Sequence, residues 1–370
     1  MESPLDLEQE LNRAKSKLSK IDFPKLRSNS EYELGFRQIR DWVSEQNNGQ
    51  RPSKGWLKMW EMLNLEMVQN FIENQTSING FFNAELPGSF LLATNHYLRT
   101  FYPKKEFNWV ASSYLGSKED SLADDYELFK RNPKNVLVGT KTIESEGQVR
   151  QIEVNGDLLT RNKAIGLSKL AQLTIQKLSS AKSYNFYSSD GGFDIGQKFG
   201  KQEELHIPLK FGEALAGLYY LEKGGMFILK LYTLFTEEMT NLAMILMYAF
   251  ENYDFFKPFF SSSLNSEVYF VGVGYKGFSV MEDKLELLDP EYPQEQELKL
   301  DIPAYQDDLI TQVRSLTNQQ IKTINWFVKD KGKTPIEDYP NYDLVLDDLD
   351  EMKRLQTKDK INIKPVKPRK

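Results

Sequence analysis

Lys223-Gly-Gly-Met-Phe-Ile-Leu-Lys230-Leu-Tyr-Thr233 is the stretch that decides the fold. Two glycines open a short run, and Met226 to Leu229 are apolar without alternation. That is the pattern of a strand covered on both faces, as in the parallel sheet of an α/β protein. Lys230 stands at the far end of the run. Open α/β sheets bind ligands outside the carboxyl ends of their strands, so a lysine there is placed for chemistry. The ordinary alternative is a lysine that snorkels to solvent from a strand end.

Helices and strands alternate outward from this run. Residues 1 to about 48 are charge-rich and helical in pattern, ending in the polar Glu45-Gln-Asn-Asn-Gly-Gln-Arg-Pro52 linker. Ser53 caps a helix expected from about Gly55 to Phe71, apolar around most of its girth. Lys58 sits inside that pattern, either on its one solvated face or as a second functional lysine. Phe81 to Phe90 reads as strand, tight turn and the start of a helix through about Phe101. A second strand is expected at Phe107 to Tyr114. A polar excursion from Gly116 to Gly147 follows, with a short helix near Asp124 to Lys130. Ile152 to Leu159 reads as a third strand and turn, followed by a helix from Lys163 to Leu178. Tyr184 to Asp190 is a strand and Gln202 to Leu221 a helix. Beyond the Lys230 strand come a helix over Glu237 to Phe250 and strands at Phe255–Phe260 and Val268–Val273. A last helix spans Asp307 to Val328.

This alternation predicts an α/β fold: a doubly wound, Rossmann-like, mainly parallel sheet with an antiparallel edge, plus N- and C-terminal helical additions. The expected division is a helical extension over 1–50 and a main domain over 51–300. A helical segment over 301–340 and a charged, flexible tail over 341–370 complete it.

A chain of 370 residues with 12% aromatics can build one large domain with additions, or two smaller ones. The net charge of −6 argues against non-specific coating of nucleic acid but leaves room for a local basic cleft. The sequence has no cysteine, which removes disulfides, thiolate metal sites and cysteine nucleophiles together. Its two histidines, His96 and His206, lie far apart, so no metal site or Ser-His hydrolase is expected. The acidic N-terminus lacks a signal-peptide core, and the Leu242–Phe250 run is too short to span a bilayer. A soluble, cytoplasmic protein is expected, with no membrane partner.

Gly88 lets the backbone approach a ligand, and the following helix N-terminus offers amides. Gly272-Val-Gly-Tyr-Lys-Gly277 matches a dinucleotide fingerprint, but an irregular charged stretch is expected after it, so the match reads as chance. Asp157 and Asp190 sit at strand ends. Asp190 is followed by Gly191-Gly192, which allows close backbone approach. Glu267 begins the last strand. Each acid alone reads as a turn residue or cap. Together Lys58, Asp190, Lys230 and Glu267 form a specific constellation.

The chain resembles the FtsJ-type RNA ribose 2′-O-methyltransferases. The resemblance rests on Trp-Leu-Lys58-Met, Glu85-Leu-Pro-Gly88-Ser-Phe90, Asn155-Gly-Asp157, Ser189-Asp190-Gly-Gly-Phe193, Gly224-Gly-Met-Phe-Ile-Leu-Lys230 and Asn265-Ser-Glu267-Val-Tyr. It covers about Gly55 to Gly274 in the family's order. Asp-Gly-Gly-Phe, Lys-Leu-Tyr-Thr-Leu-Phe and Ser-x-x-Asn-Ser-Glu are similar to mRNA cap methyltransferases in particular. Phe107-Asn-Trp-Val-Ala-Ser-Ser and Lys201-Gln-Glu-Glu-Leu resemble the FtsJ-like proteins of asfarvirus-type large DNA viruses, which implies host cytoplasm or virion. The family's Lys-Asp-Lys-Glu tetrad falls on Lys58, Asp190, Lys230 and Glu267. The resemblance implies S-adenosylmethionine as cofactor, bound by Glu85, Gly88, Ser89, Phe90, Asp157 and Asp190, with Asp157 near the adenine amino group. It implies capped mRNA as partner. Ser89 departs from the family's second glycine, and Ser112-Ser113 stands where relatives often place a cofactor acid.

Methyl transfer to a ribose hydroxyl needs a nucleophile held near the methyl and partly deprotonated. Lys230 serves as base if its pKa falls by about three units, a cost of about 4 kcal/mol. A second ammonium about 4 Å away supplies about that much at an effective dielectric near 20, which makes Lys58 the expected tuner. Burial and a cofactor sulfonium act the same way, whereas Asp190 and Glu267 oppose. Alternatives are the same chemistry on rRNA or tRNA, and a non-catalytic RNA-binding subunit. Lys198, Lys201, Lys210 and Lys276 are candidates for an RNA groove. Trp109 and Tyr232 are candidates to stack on a cap, against core packing for both. The N-terminal helices and basic tail are open to partners, to self-association or to RNA.

Overall fold

The computed structural model describes residues 4–46, 52–116, 123–145, 148–193, 201–291, 303–343 and 345. The expected tail over 341–370 lies almost wholly outside these residues, as does Lys198. The chain opens with α1 (Pro4–Leu18), α2 (Phe23–Ser28) and α3 (Glu31–Gln46). The single helix expected over Gly55–Phe71 is two, α4 (Lys54–Leu63) and α5 (Glu66–Asn74). The break falls at Asn64, whose side-chain amide donates to the Trp60 carbonyl at 3.0 Å. Asparagine competes in this way with the backbone ladder. Ser53 caps α4 as expected, its hydroxyl accepting from the Trp56 amide.

The alternation then runs β1 (Ser77–Asn83), α6 (Ser89–Phe101), β2 (Glu106–Ala111) and α7 (Leu128–Arg131). After a hairpin of β3 (Gly139–Ser145) and β4 (Gln148–Val154) come α8 (Arg161–Leu178), β5 (Tyr184–Ser189), α9 (Gln202–Leu218) and β6 (Leu221–Leu231). The chain continues through α10 (Glu237–Ala249), β7 (Phe250–Phe256), β8 (Val268–Tyr275), α11 (Phe278–Leu285) and α12 (Pro303–Asp330). The main sheet has six strands in the order β2-β1-β5-β6-β8-β7. The first four run parallel, and β8 runs against both of its neighbours. This is the expected doubly wound α/β sheet with its antiparallel departure at one edge.

Three expectations shift. The strand expected from Ile152 is β4, and it pairs with β3 outside the main sheet. Its second half, Gln151-Ile-Glu-Val154, alternates polar and apolar residues and is largely exposed, which suits a solvent-facing hairpin better than a buried parallel strand. The strand expected at Phe255–Phe260 begins at Phe250 and ends at Phe256, because Pro258 cannot donate to a ladder. A 3-10 turn takes Phe259–Ser261. A helix, α11, does follow Gly277, because Met281 and Leu285 give the charged stretch one buried side. The Gly272-x-Gly pair nevertheless lies far from the ligand-binding end, since β8 runs backwards and Gly272 pairs with Phe227.

Apolar residues of β6 alternate between two cores. Phe227, Leu229 and Leu231 face α8, α9 and α10, whereas Met226 and Ile228 face α4, α5 and α6. Burial on both faces is what the unbroken apolar run demands. A smaller cluster of Leu11, Ala14, Leu264, Ile324 and Phe327 joins α1 to α12. None of the described helices is long and apolar enough to cross a membrane.

His96 on α6 is 9% exposed and lies edge-on to Trp56 and Trp60, with ring centroids 5.5 and 5.4 Å away. Burial holds its pKa down at about 4. The unfolded chain therefore binds the extra proton first, and stability falls as pH drops from about 6.5 to 4, by about 3 kcal/mol in full. Thermal melts should show this acid loss in the wild type and not in His96→Phe. Parallel acid profiles for the two would refute it.

Candidate active site

The sheet geometry brings Lys230 and Glu267 together. Lys230 follows Met226 and Ile228 by steps of two, so it points to the α4 side, and it pairs in register with Tyr269. Because β8 is antiparallel, its beginning lies at the carboxyl end of β6, and Glu267 immediately precedes it. Asp190 directly follows β5, the parallel neighbour of β6. Lys58 enters from α4. All four residues of the constellation converge.

The Lys230 ammonium donates to the Asp190 carbonyl at 2.7 Å and lies 3.1 Å from Asp190 Oδ1. Lys58 Nζ meets Glu267 Oε1 at 2.5 Å. Tyr269 ties the two pairs into one network. Its hydroxyl donates to Asp190 Oδ1 at 2.7 Å, stands 3.2 Å from Glu267 Oε1 and accepts from Lys58 at 3.4 Å. Ser261 donates a further bond to Glu267 Oε1 at 2.8 Å.

Charge balance follows from these contacts. Burial alone would raise the Glu267 carboxyl, but Lys58, Lys230 and Lys257 outweigh it and hold the group at about 2. Burial would lower the Lys230 ammonium, but Asp190, Tyr232 and Glu267 prevail, and its pKa lies above the ordinary lysine value. The expectation that Lys58 lowers Lys230 is therefore corrected. The Lys58 charge is taken up by Glu267 at 2.5 Å, and Asp190 Oδ1 lies 3.1 Å from the Lys230 ammonium. Tyr269 stays a phenol, its pKa raised by burial and then by Asp190 and Glu267.

A buried layer supports Asp190 from below. Lys210 and Glu213, one turn apart on α9, form a fully buried pair at 2.6 Å. Glu213 Oε1 accepts from the Gly191 amide at 2.8 Å and the Ser189 hydroxyl at 2.5 Å, and Lys210 donates to the Gly191 carbonyl at 2.8 Å. A Cβ on Gly191 would lie 2.0 Å from Glu213 Oε1, so only glycine fits. A Cβ on Gly192 would meet Tyr232 OH at 2.9 Å and Lys230 Nζ at 3.1 Å, so that glycine keeps open the space before the ammonium. His206 Nδ1 donates to the Gln202 carbonyl while Nε2 accepts from the Phe193 amide, which fixes a neutral ring under the same turn.

Two of the RNA-groove lysines are corrected. Lys210 is wholly buried, and Lys276 lies at the far end of β8 with its ammonium on the Tyr248 carbonyl. Lys201 is exposed at the start of α9. Tyr232 is buried against His206, and Trp109 packs half-buried against the α4–α6 core.

The strand-turn-helix after β1 closes the other side. Gly88 has φ of +112°, a conformation that favours glycine, and heads α6. Glu85 is buried and accepts from the Leu91 amide at 2.8 Å; burial pushes its carboxyl up to about 8, and the Asp190 charge adds. The Ser89 hydroxyl turns to Ser53 at 2.7 Å, tying this turn to the helix that carries Lys58. Phe90 packs 6.0 Å from the Tyr269 ring. The Asn155–Asp157 turn abuts the end of β2, where a Cβ on Gly156 would lie 2.2 Å from the Ser113 carbonyl oxygen. Asp157 is held by the Leu159 amide and by Lys163 at 2.7 Å. The Ser112 hydroxyl is buried at the end of β2 without a hydrogen-bond partner.

Sequence reasoning passed over Tyr269, Lys257 and Glu213, and gave Lys210 a different place, in an RNA groove. Tyr269 carried a signal, since two residues after Glu267 on a strand means the same face. Lys257 also did, standing within Phe255-Phe-Lys-Pro-Phe-Phe260.

The profile of FtsJ-like methyltransferases matches residues 132–275. African swine fever virus proteins named "Probable methyltransferase EP424R" are similar. One from a Kenyan pig isolate is 36% identical over 80% of this chain and 67% of its own length. One from a Namibian warthog isolate is 39% identical over 64% of this chain and 52% of its own. The mouse "Cap-specific mRNA (nucleoside-2'-O-)-methyltransferase 2" is 29% identical over 74% of this chain and 34% of its own length. A ribosomal RNA methyltransferase from Plasmodium falciparum aligns in structure over 59% of this chain and 97% of its own, at 15% identity and a TM-score of 0.37. With a curated relative at this identity and coverage, the chain belongs to the FtsJ-like methyltransferase family.

Proposed function

We propose that this chain transfers a methyl group to a ribose 2′-hydroxyl of RNA, at the first transcribed nucleotide of capped mRNA. The observation that carries the reading is the convergence of Lys58, Asp190, Lys230 and Glu267 around Tyr269 at the carboxyl end of β6. The name of the mouse relative supports the cap as target. We take residues 51–300 as the catalytic unit, with the terminal helices as additions to it.

Residues at the site suit S-adenosylmethionine. Gly88 at positive φ and the α6 N-terminus form a cradle, Gly191 and Gly192 leave room beside Asp190, and the Ser112 hydroxyl is buried with an unused bond. Glu85, Gly88, Ser89, Phe90, Asp157 and Asp190 would hold the cofactor, Ser89 through its backbone. When bound, the cofactor supplies an electrophilic methyl and a positive sulfonium.

Lys230 orients the ribose hydroxyl and takes its proton, the task of a fixed general base. Asp190 and Glu267 keep the resting ammonium charged, so the amine becomes a base only when positive charge is set against Asp190. Lys58 and Glu267 neutralise each other and brace the network. Glu213 and Lys210 hold the turn that aims Asp190.

Calorimetry with S-adenosylmethionine, followed by transfer assays on cap-0 and uncapped RNA of one sequence, tests this reading. One cofactor should bind per chain, and capped RNA should react at least about tenfold faster. An intact fold without cofactor binding overturns the enzyme reading. Equal rates on both RNAs overturn the cap assignment.

A further inference from the structure

Lys257 is a buried cation beside the site that the proposed reaction does not use. It stands between β7 and the 3-10 turn, 9% exposed. Its ammonium donates to the Glu267 carbonyl at 2.6 Å, Asn265 Oδ1 at 2.6 Å, the Asn265 carbonyl at 3.0 Å and the Ser261 hydroxyl at 3.2 Å. Every one of these acceptors belongs to the Ser261–Glu267 turn. Two of the same residues then hold Glu267 itself. Asn265 Oδ1 accepts from the Glu267 amide at 3.1 Å, and Ser261 donates to its carboxylate at 2.8 Å.

We propose that Lys257 is a positioning residue for methyl transfer, fixing the Ser261–Glu267 turn so that the Glu267 carboxylate meets Lys58 and Tyr269. The proposal rests on the reading of Lys230 and its partners as the transfer centre. A lysine ammonium supplies three N–H donors, so the four acceptors of the turn share them. The charged groups that face it are Glu267 from the turn, Lys58 and Glu61 from α4, and Lys15 from α1. Burial is the largest influence on Lys257 and lowers it; Glu267 and Glu61 oppose, Lys58 and Lys15 add, and the group settles at about 7. The Lys257 charge in turn helps keep Glu267 ionised.

The arrangement also links the N-terminal helix to the site. Lys15 on α1 donates to Ser266, the neighbour of Glu267, at 2.7 Å, and Ser266 donates to Gln320 on α12 at 3.1 Å. The turn is thereby held from both sides, by Lys257 within and by the terminal helices without.

The test uses the full chain with Lys257→Met, Asn265→Ala and Lys230→Met measured together. Asn265→Ala cuts the same contact from the turn side and covers the case in which Lys257→Met fails to fold. Both are expected to lower kcat by about 10- to 100-fold, the scale of a displaced catalytic group. Binding of S-adenosylhomocysteine and the circular dichroism spectrum should stay at wild-type values. The alkaline rise of kcat/KM should move to lower pH in Lys257→Met, because a displaced Glu267 no longer helps to raise Lys230. Wild-type kcat in both variants beside an inactive Lys230→Met overturns the inference alone. So does an unmoved alkaline rise of kcat/KM in a folded Lys257→Met. An active Lys230→Met overturns the reading beneath it.

Discussion

Lys230→Met is expected to lower kcat by about 10²- to 10⁴-fold, the range that a positioned general base contributes. Cofactor affinity and melting temperature should change little. The side chain is deleted at the open end of a strand, and Asp190 keeps its bond from Tyr269. Lys230→Arg should be as inactive as the methionine variant, because a guanidinium keeps the positive charge but cannot accept a proton near neutrality. That contrast separates a base from a cation that only orients the ribose. Full activity in Lys230→Arg would leave Lys230 with an orienting role alone. The pH dependence has a definite sign. Asp190 and Glu267 raise the resting Lys230 pKa above the ordinary lysine value, so kcat/KM, which reports the free enzyme, grows with pH through the alkaline range. A kcat/KM that is flat or falling there contradicts the base assignment.

The second large effect concerns folding. Lys210→Met leaves Glu213 as an uncompensated buried charge, which costs about 3–5 kcal/mol. For a chain of this size the melt should fall by roughly 10 °C. Glu213→Leu should cost a similar amount by stranding the ammonium. The double variant Lys210→Met/Glu213→Leu should recover much of that stability, since apolar replacement of a buried pair is often neutral. Activity should not return with it. The Gly191 amide and the Ser189 hydroxyl then lack the carboxylate that holds them, and the turn carrying Asp190 loses its support. Scanning calorimetry and transfer rates on the three variants check both halves. A double variant with wild-type turnover would show that the pair serves stability only.

Much of the fold was legible because its signals are local. The unbroken Met226–Leu229 run demanded a strand covered on both faces, and β6 has apolar residues in both cores. The order of the Lys58, Asp190, Lys230 and Glu267 motifs placed them at strand ends and a helix, and the antiparallel β8 then brings Glu267 back to Lys230. What escaped depends on distant partners. The Gln148–Val154 segment reads as a strand by itself, but which sheet it joins depends on pairing with β3. Lysine is usually a surface residue, so Lys210 reads as solvated until the turn at Gly191 is folded against it. The effect of Lys58 on Lys230 was misjudged for a similar reason. Where that charge acts depends on which carboxylate pairs with it, and Glu267 does so at 2.5 Å.

The most direct test of the account is the chemical position of the transferred methyl. Capped RNA is incubated with the protein and labelled S-adenosylmethionine, then digested to nucleosides and separated by mass. The account predicts label on the 2′-oxygen of the nucleotide next to the cap with the wild type, and none with Lys230→Met. Label on a base, or on the ribose with equal yield from Lys230→Met, would contradict it.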